Sequence, residues 1–104
     1  MSTYTPDRWV VLEFDYNGDV LRKVFAGWYG GYTNGDSWKL SSGITETKEF
    51  EDRYEFLNES GSLYVCHKGA HGMGGYQSGI YVTWQKQIAE SNTATMKLIE
   101  DYDV

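Results

Sequence analysis

Eleven of the chain's twelve glycines fall in two segments, residues 27–43 and 61–79. Glycine tolerates positive φ and lets backbone approach closely, so such segments serve either as elaborate turns or as the walls of a site. Their company points to a site. Trp28, Tyr29, Tyr32, Trp38 and Tyr76 offer flat faces for stacking, and Ser37, Ser41, Ser42, Ser60 and Ser62 offer hydroxyls. A glycine-rich backbone also leaves its N–H groups available to cradle an anion. Charge is distributed to match. Segment 61–79 holds His67, Lys68 and His71 with no Asp or Glu, and segment 20–43 holds Arg22, Lys23 and Lys39 against Asp36 alone. Residues 46–59, by contrast, carry six acids against Lys48 and Arg53. Stacking faces, hydroxyls, amides and a few cations suit a small anionic ligand of the nucleotide type. The candidate ligand-binding set is therefore these five aromatics and five serines, with Arg22, Asp36, His67, Lys68 and His71.

Other chemistry finds less support. Cys66, His67 and His71 are too few for a structural zinc, which takes four ligands, and neighbours on a strand point to opposite faces. The same geometry denies Cys66 and His67 the hydrogen bond that nucleophile activation requires. Hydrolysis needs an acid and a base in one cleft, and Asp36 with His71 is the one pair worth considering. No G-x-S-x-G, G-x-x-x-x-G-K-[ST] or H-E-x-x-H motif is present. No catalytic residue, metal or cofactor is expected. The acidic stretch Glu46–Glu59 could imitate DNA phosphates, but its acids alternate with Phe50, Tyr54 and Phe56, the pattern of an amphipathic hairpin's solvent face.

The whole chain sets the frame for these residues. Its 104 residues and 11.9 kDa fit one domain spanning 1–104. Nine Lys and Arg against fifteen Asp and Glu give −6, a balance that disfavours non-specific binding to nucleic acid. Apolar runs are only a few residues long, so neither a signal peptide nor a membrane span is expected. The single cysteine excludes an internal disulfide and suits a reducing cytoplasm.

Four Trp, nine Tyr and four Phe against a single Pro favour strands. Arg8–Asp15 alternates Trp9, Val11 and Glu13 with Val10, Leu12 and Phe14, and the second, wholly apolar side should face the core. Asn17-Gly18 is a strong hairpin signal, returning the chain along Val20–Ala26. Asp36–Ser41 could be a short strand. Ile44–Phe50 and Arg53–Leu57 read as a second hairpin around Glu51-Asp52, and Ser62–His67 as a further strand. Ser78 is placed to cap a helix over 79–90 with Ile80, Trp84 and Ile88 on one stripe. Ile80, Val82 and Trp84 also alternate as a strand would, so both readings stand, the helix ahead. Thr93–Asp101 closes the chain as a strand. The predicted fold is α+β, mainly β: a curled antiparallel sheet of six or seven short strands with one helix on a face.

The runs KVFAGWYGGYTNGDSWKLSSGI and SGSLYVCHKGAHGM, residues 23–44 and 60–74, carry a resemblance. Their pattern of G-W-Y-G-G-Y, G-D-S-W, S-G-I and S-G-S-x-Y-x-C-H-K resembles that of short uncharacterised proteins encoded by tailed bacteriophages. Size and acidity are similar to those of phage accessory proteins that block bacterial immunity. Some of those sequester nucleotide signals in glycine-, serine- and aromatic-lined pockets, usually as homo-oligomers. The resemblance implies a counter-defence protein of the infected cell's cytoplasm that sequesters a small nucleotide-type immune signal without catalysis. In that reading Trp28, Tyr32 and Trp38 stack on bases, the serines and Lys68 with Arg22 hold phosphate or ribose, and the protein is a homo-oligomer. The alternative is a protein–protein inhibitor whose aromatic loops dock on a host defence protein. A nucleotide-degrading enzyme and a virion component stand behind both. The sequestering reading needs the two glycine-rich loops to meet, with Trp28 and Trp38 facing Lys68 and His71.

Overall fold

A computed structural model describes residues 2–30 and 35–102. Among them eight strands and one α-helix follow in the order β1 (Thr3–Tyr4), β2 (Arg8–Tyr16), β3 (Asp19–Trp28), β4 (Ser37–Leu40), β5 (Ile44–Glu49), β6 (Arg53–Asn58), β7 (Leu63–His67), α1 (Gly75–Ser91) and β8 (Ala94–Ile99). A single 3-10 turn, Lys68–Ala70, links β7 toward α1. The fold is α+β and mainly β, with the helix on a sheet face, as the sequence predicts. The strands are divided between two four-stranded sheets, ordered β4-β3-β2-β8 and β1-β7-β6-β5, neither of which closes on itself. The pairings are antiparallel except that of β1 with β7, which is parallel.

The hairpin β2–β3 organises the rest. Asn17 and Gly18 both take positive φ, 54° and 98°, the two-residue turn that matches the twist of its flanking strands. Register then sets Trp9 opposite Ala26 and Val11 opposite Val24. The sequence reading of β2 requires one correction: it buries both faces. Val10, Leu12 and Phe14, with Phe25, meet Ile80, Tyr81, Trp84 and Ile88 of α1. Trp9, Val11, Val24 and Ala26 meet Tyr54, Phe56, Tyr64 and Cys66 of the other sheet. The first sheet is thus the middle of three layers, and Trp9 and Val11 are as fully buried as Val10 and Leu12. Trp9 lies edge-on to Tyr54, and Tyr102 closes over Trp9, Tyr54 and Phe56 with ring centroids 5.0–6.0 Å away.

The helix begins four residues before its predicted start. Gly74 is the N-cap, and its N–H donates to the Gln77 side-chain carbonyl at 3.1 Å. Gly75 and Gly79 are poor helix formers, which hid this first turn from a propensity reading. Packing overrides propensity, because Gln77 lies on the same stripe as Ile80 and Trp84 and is buried against β3. Asn92 ends the helix in the left-handed conformation, φ 59°. No helix of the described residues is long and apolar enough to cross a membrane.

Candidate functional site

The two glycine-rich segments meet at the end of the sandwich where β3 finishes and α1 begins. Gly27 abuts Gln77, and Gly74 abuts the Tyr29 ring, so close that a Cβ on Gly74 would sit 3.1 Å from Tyr29 Cε1. The residues before β2 bind the junction together. Asp7 N–H donates to the Gly27 carbonyl at 2.9 Å, and the Asp7 carboxylate accepts from Tyr29 N–H at 2.8 Å. Trp28 Nε1–H donates to the Thr5 carbonyl, Gly30 N–H to the Asp36 carboxylate, and Arg8 to the His71 carbonyl. Gly72 N–H donates to the Trp9 carbonyl at 2.8 Å.

These bonds decide the electrostatics. The amides of Tyr29 and Gly30, which an anion would need, already serve Asp7 and Asp36, and two carboxylates now sit where a phosphate would approach. The depression between Trp28, Tyr29, Asp36, Ser37 and Tyr76 holds only about 10 Å³. What remains open is aromatic surface. Tyr29, Trp38 and Tyr76 are 57%, 40% and 48% exposed. Trp38 of β4 leans edge-on against Trp84 of α1 at 5.1 Å, and a neighbouring flank of the helix carries Tyr76 and Ile80. Along that flank Gly75 and Gly79 have open space where side chains would be, leaving a shallow groove of about 290 Å³.

The remaining candidate residues lie elsewhere. Trp28, which borders the depression, is the exception: it is half-buried and packs edge-on against Tyr4 at 6.2 Å. Ser41 is buried, its Oγ accepting the Val24 N–H at 2.8 Å, so it extends the β3–β4 pairing. Ser42, Ser60 and Ser62 knot together at the far end of β4, through Ser60 N–H to Ser42 Oγ and a 3.2 Å contact between the Ser60 and Ser62 hydroxyls. Arg22 pairs with Glu13 at 3.1 Å. Lys68 pairs with Glu49 at 2.6 Å and rests over the Tyr54 ring. The His71 ring is edge-on to Trp9 at 4.8 Å, while His67 projects outward from β7 and its carbonyl accepts Trp9 Nε1–H. Tyr32 lies outside the described residues.

The expected face-to-face arrangement is therefore corrected: the loops meet, but through Tyr29, Gly74 and Gln77. Lys68 pairs with Glu49 and the His71 ring lies against Trp9, while Trp38 packs on Phe25 and Trp84. Asp36 and His71 form no acid–base pair, the one engaged with Gly30 and the other with Trp9. Burial pushes the Cys66 thiol well above its ordinary pKa, leaving it a protonated core residue on the face opposite His67. Among the described residues no group of His, Cys, Asp and Glu is arranged to hold a metal.

Sequence reading missed Asp7, Gln77 and Trp84 as parts of this junction. Gln77 had a signal, since it stands three and seven residues before Ile80 and Trp84 and so extends their stripe by one turn. Asp7 had none, because its partners Gly27 and Tyr29 lie twenty and twenty-two residues away in sequence. Comparison of the chain with protein-family models, curated proteins and solved structures finds no match.

Proposed function

We propose that this chain is a non-catalytic binding protein that docks a partner protein through Tyr29, Trp38 and Tyr76. The observation that carries the reading is that Tyr29 and Tyr76, both exposed, border one depression beside the open α1 groove, while the exposed Trp38 leans on Trp84 of the same helix. Exposed Trp and Tyr over a rigid support are the side chains that dominate binding energy at protein interfaces. Trp38 has that support in Trp84 and Phe25, and Tyr29 has it in Gly74. The resemblance to short phage proteins makes a bacterial defence protein the expected partner. Sequestration of a nucleotide-type signal keeps one supporting observation, that Tyr29 and Tyr76 line the same depression. No Lys or Arg lines that depression, and Arg22 and Lys68 pair with Glu13 and Glu49.

The test captures proteins from a bacterial host extract on the immobilised chain. Affinity of the purified captured protein is then measured for the parent chain, Tyr29→Ala and Tyr76→Ala. Each truncation of an interface anchor costs about 2 kcal/mol, so affinity should fall roughly thirtyfold while the melting temperature holds. A captured protein indifferent to both substitutions overturns the reading. So does an intact nucleotide released on heating the purified chain, with retention lost in Lys68→Ala.

A further inference from the structure

An open groove lies at the other end of the molecule, between the C-terminal half of α1, the β2–β3 turn and β8. It has a volume of about 470 Å³, within the range of small-molecule sites, and is lined by Asp15, Asn17, Ile88, Ala89, Asn92 and Thr95 among others. A second section of about 360 Å³ continues it along β8, sharing Ile88 and Ala89 and adding Met96. The floor is thus apolar and the rim polar.

Its charge has one sign. Asp15 accepts the Gly18 N–H through one carboxylate oxygen, and among the described residues no cation pairs with it. The negative end of a seventeen-residue helix opens beside it, with no basic residue in the last turn to offset it. No Lys or Arg lines either section. Of the strand lysines, Lys97 pairs with Glu13 and Lys23 lies over the Phe14 ring. We infer that this groove binds a small organic cation, its ammonium group against Asp15 and the helix end, and its apolar body over Ile88 and Ala89.

Benzylammonium is a suitable probe, with benzyl alcohol as its neutral counterpart and benzoate as the anion of similar shape. Titrated into the ¹⁵N-labelled chain, benzylammonium should saturably shift the amides of Gly18, Ala89, Asn92 and Thr95, with a dissociation constant of about 1 mM. Benzyl alcohol should bind about fivefold more weakly, the worth of one exposed charge pair, and benzoate should not saturate. Asp15→Asn keeps an acceptor for Gly18 N–H and should reduce benzylammonium to the level of the alcohol. Ala89→Leu, which preserves helix propensity, should block the groove floor and abolish the shifts. Equal affinity for amine and alcohol, an indifferent Asp15→Asn variant, or shifts at other surfaces would overturn the assignment.

Discussion

Gly27 and Gln77 offer the sharpest test of how the junction holds together. Gly27 sits in β3 with φ outside the left-handed region, so alanine meets no backbone strain there. Its Cβ, however, would fall 2.8 Å from Gln77 Cγ and closer still to Cδ and Oε1. Gln77 is 3% exposed and cannot swing into solvent without giving up its bonds to Gly74 N–H and the Phe25 carbonyl. Each bond contributes about 1 kcal/mol net, and the buried partners left behind raise the loss to about 2–3 kcal/mol. Gln77→Ala should cost the same, because it removes the same two bonds. With Gln77 already gone, the Gly27 Cβ has room, and the double variant should be no less stable than Gln77→Ala alone. The coupling energy is then about 2–3 kcal/mol, far beyond the roughly 0.5 kcal/mol scatter of independent sites. Urea unfolding of the four chains measures it, each single variant melting about 10–20 °C below the parent. Additive losses in the double variant would refute the steric argument and place the cost of Gly27→Ala elsewhere.

Two further outcomes follow from buried polar groups. Ser41→Ala strips the fully buried Val24 N–H of its side-chain acceptor, costs about 1–3 kcal/mol, and should speed hydrogen exchange at Val24 above its strand neighbours. Desolvation, with smaller contributions from Tyr4 and Cys66, pushes the Tyr64 phenol up to about 12 from an ordinary value of 10.0. The raised value means that its contribution to stability is whole below pH 10 and is lost as pH climbs from 10 to about 12. Denaturant unfolding across that window should show the decline, and Tyr64→Phe should make it shallower, leaving the part that the buried Cys66 thiol contributes.

The strands were legible because their signals are local. Asn17-Gly18 fixes one hairpin, and the alternation of Tyr54 and Phe56 with charged neighbours fixes a face of another. Layering was not legible. Val10, Leu12 and Phe14 announce a buried face, but nothing in Arg8–Asp15 says that Trp9 and Val11 face a second sheet contributed by residues 53–67. The junction was half legible for the same reason. Glycine clustering marked the two loops that meet, while the direction of each side chain depended on partners distant in sequence, Glu49 for Lys68 and Trp9 for His71. The serines misled because a hydroxyl that closes a turn and one that binds a ligand look alike in a sequence. Ser41 satisfies a strand amide, and Ser42, Ser60 and Ser62 satisfy one another.

A middle layer buried on both faces changes how the molecule comes apart. Helix α1 packs on the outer wall of β2 and β3 together with Leu40 of β4 and Met96 and Leu98 of β8, and the second sheet rests on the inner wall of the same two central strands. Stripping away either neighbour leaves a face of Val10, Leu12 and Phe25, or of Trp9, Val11 and Val24, open to water while the hairpin still bears its other load. Two separate apolar clusters are thereby tied into one cooperative unit, although they share no side chain. The centre of the β2–β3 hairpin is where amide protection should persist longest, and unfolding of the whole chain should be the only opening that exposes it.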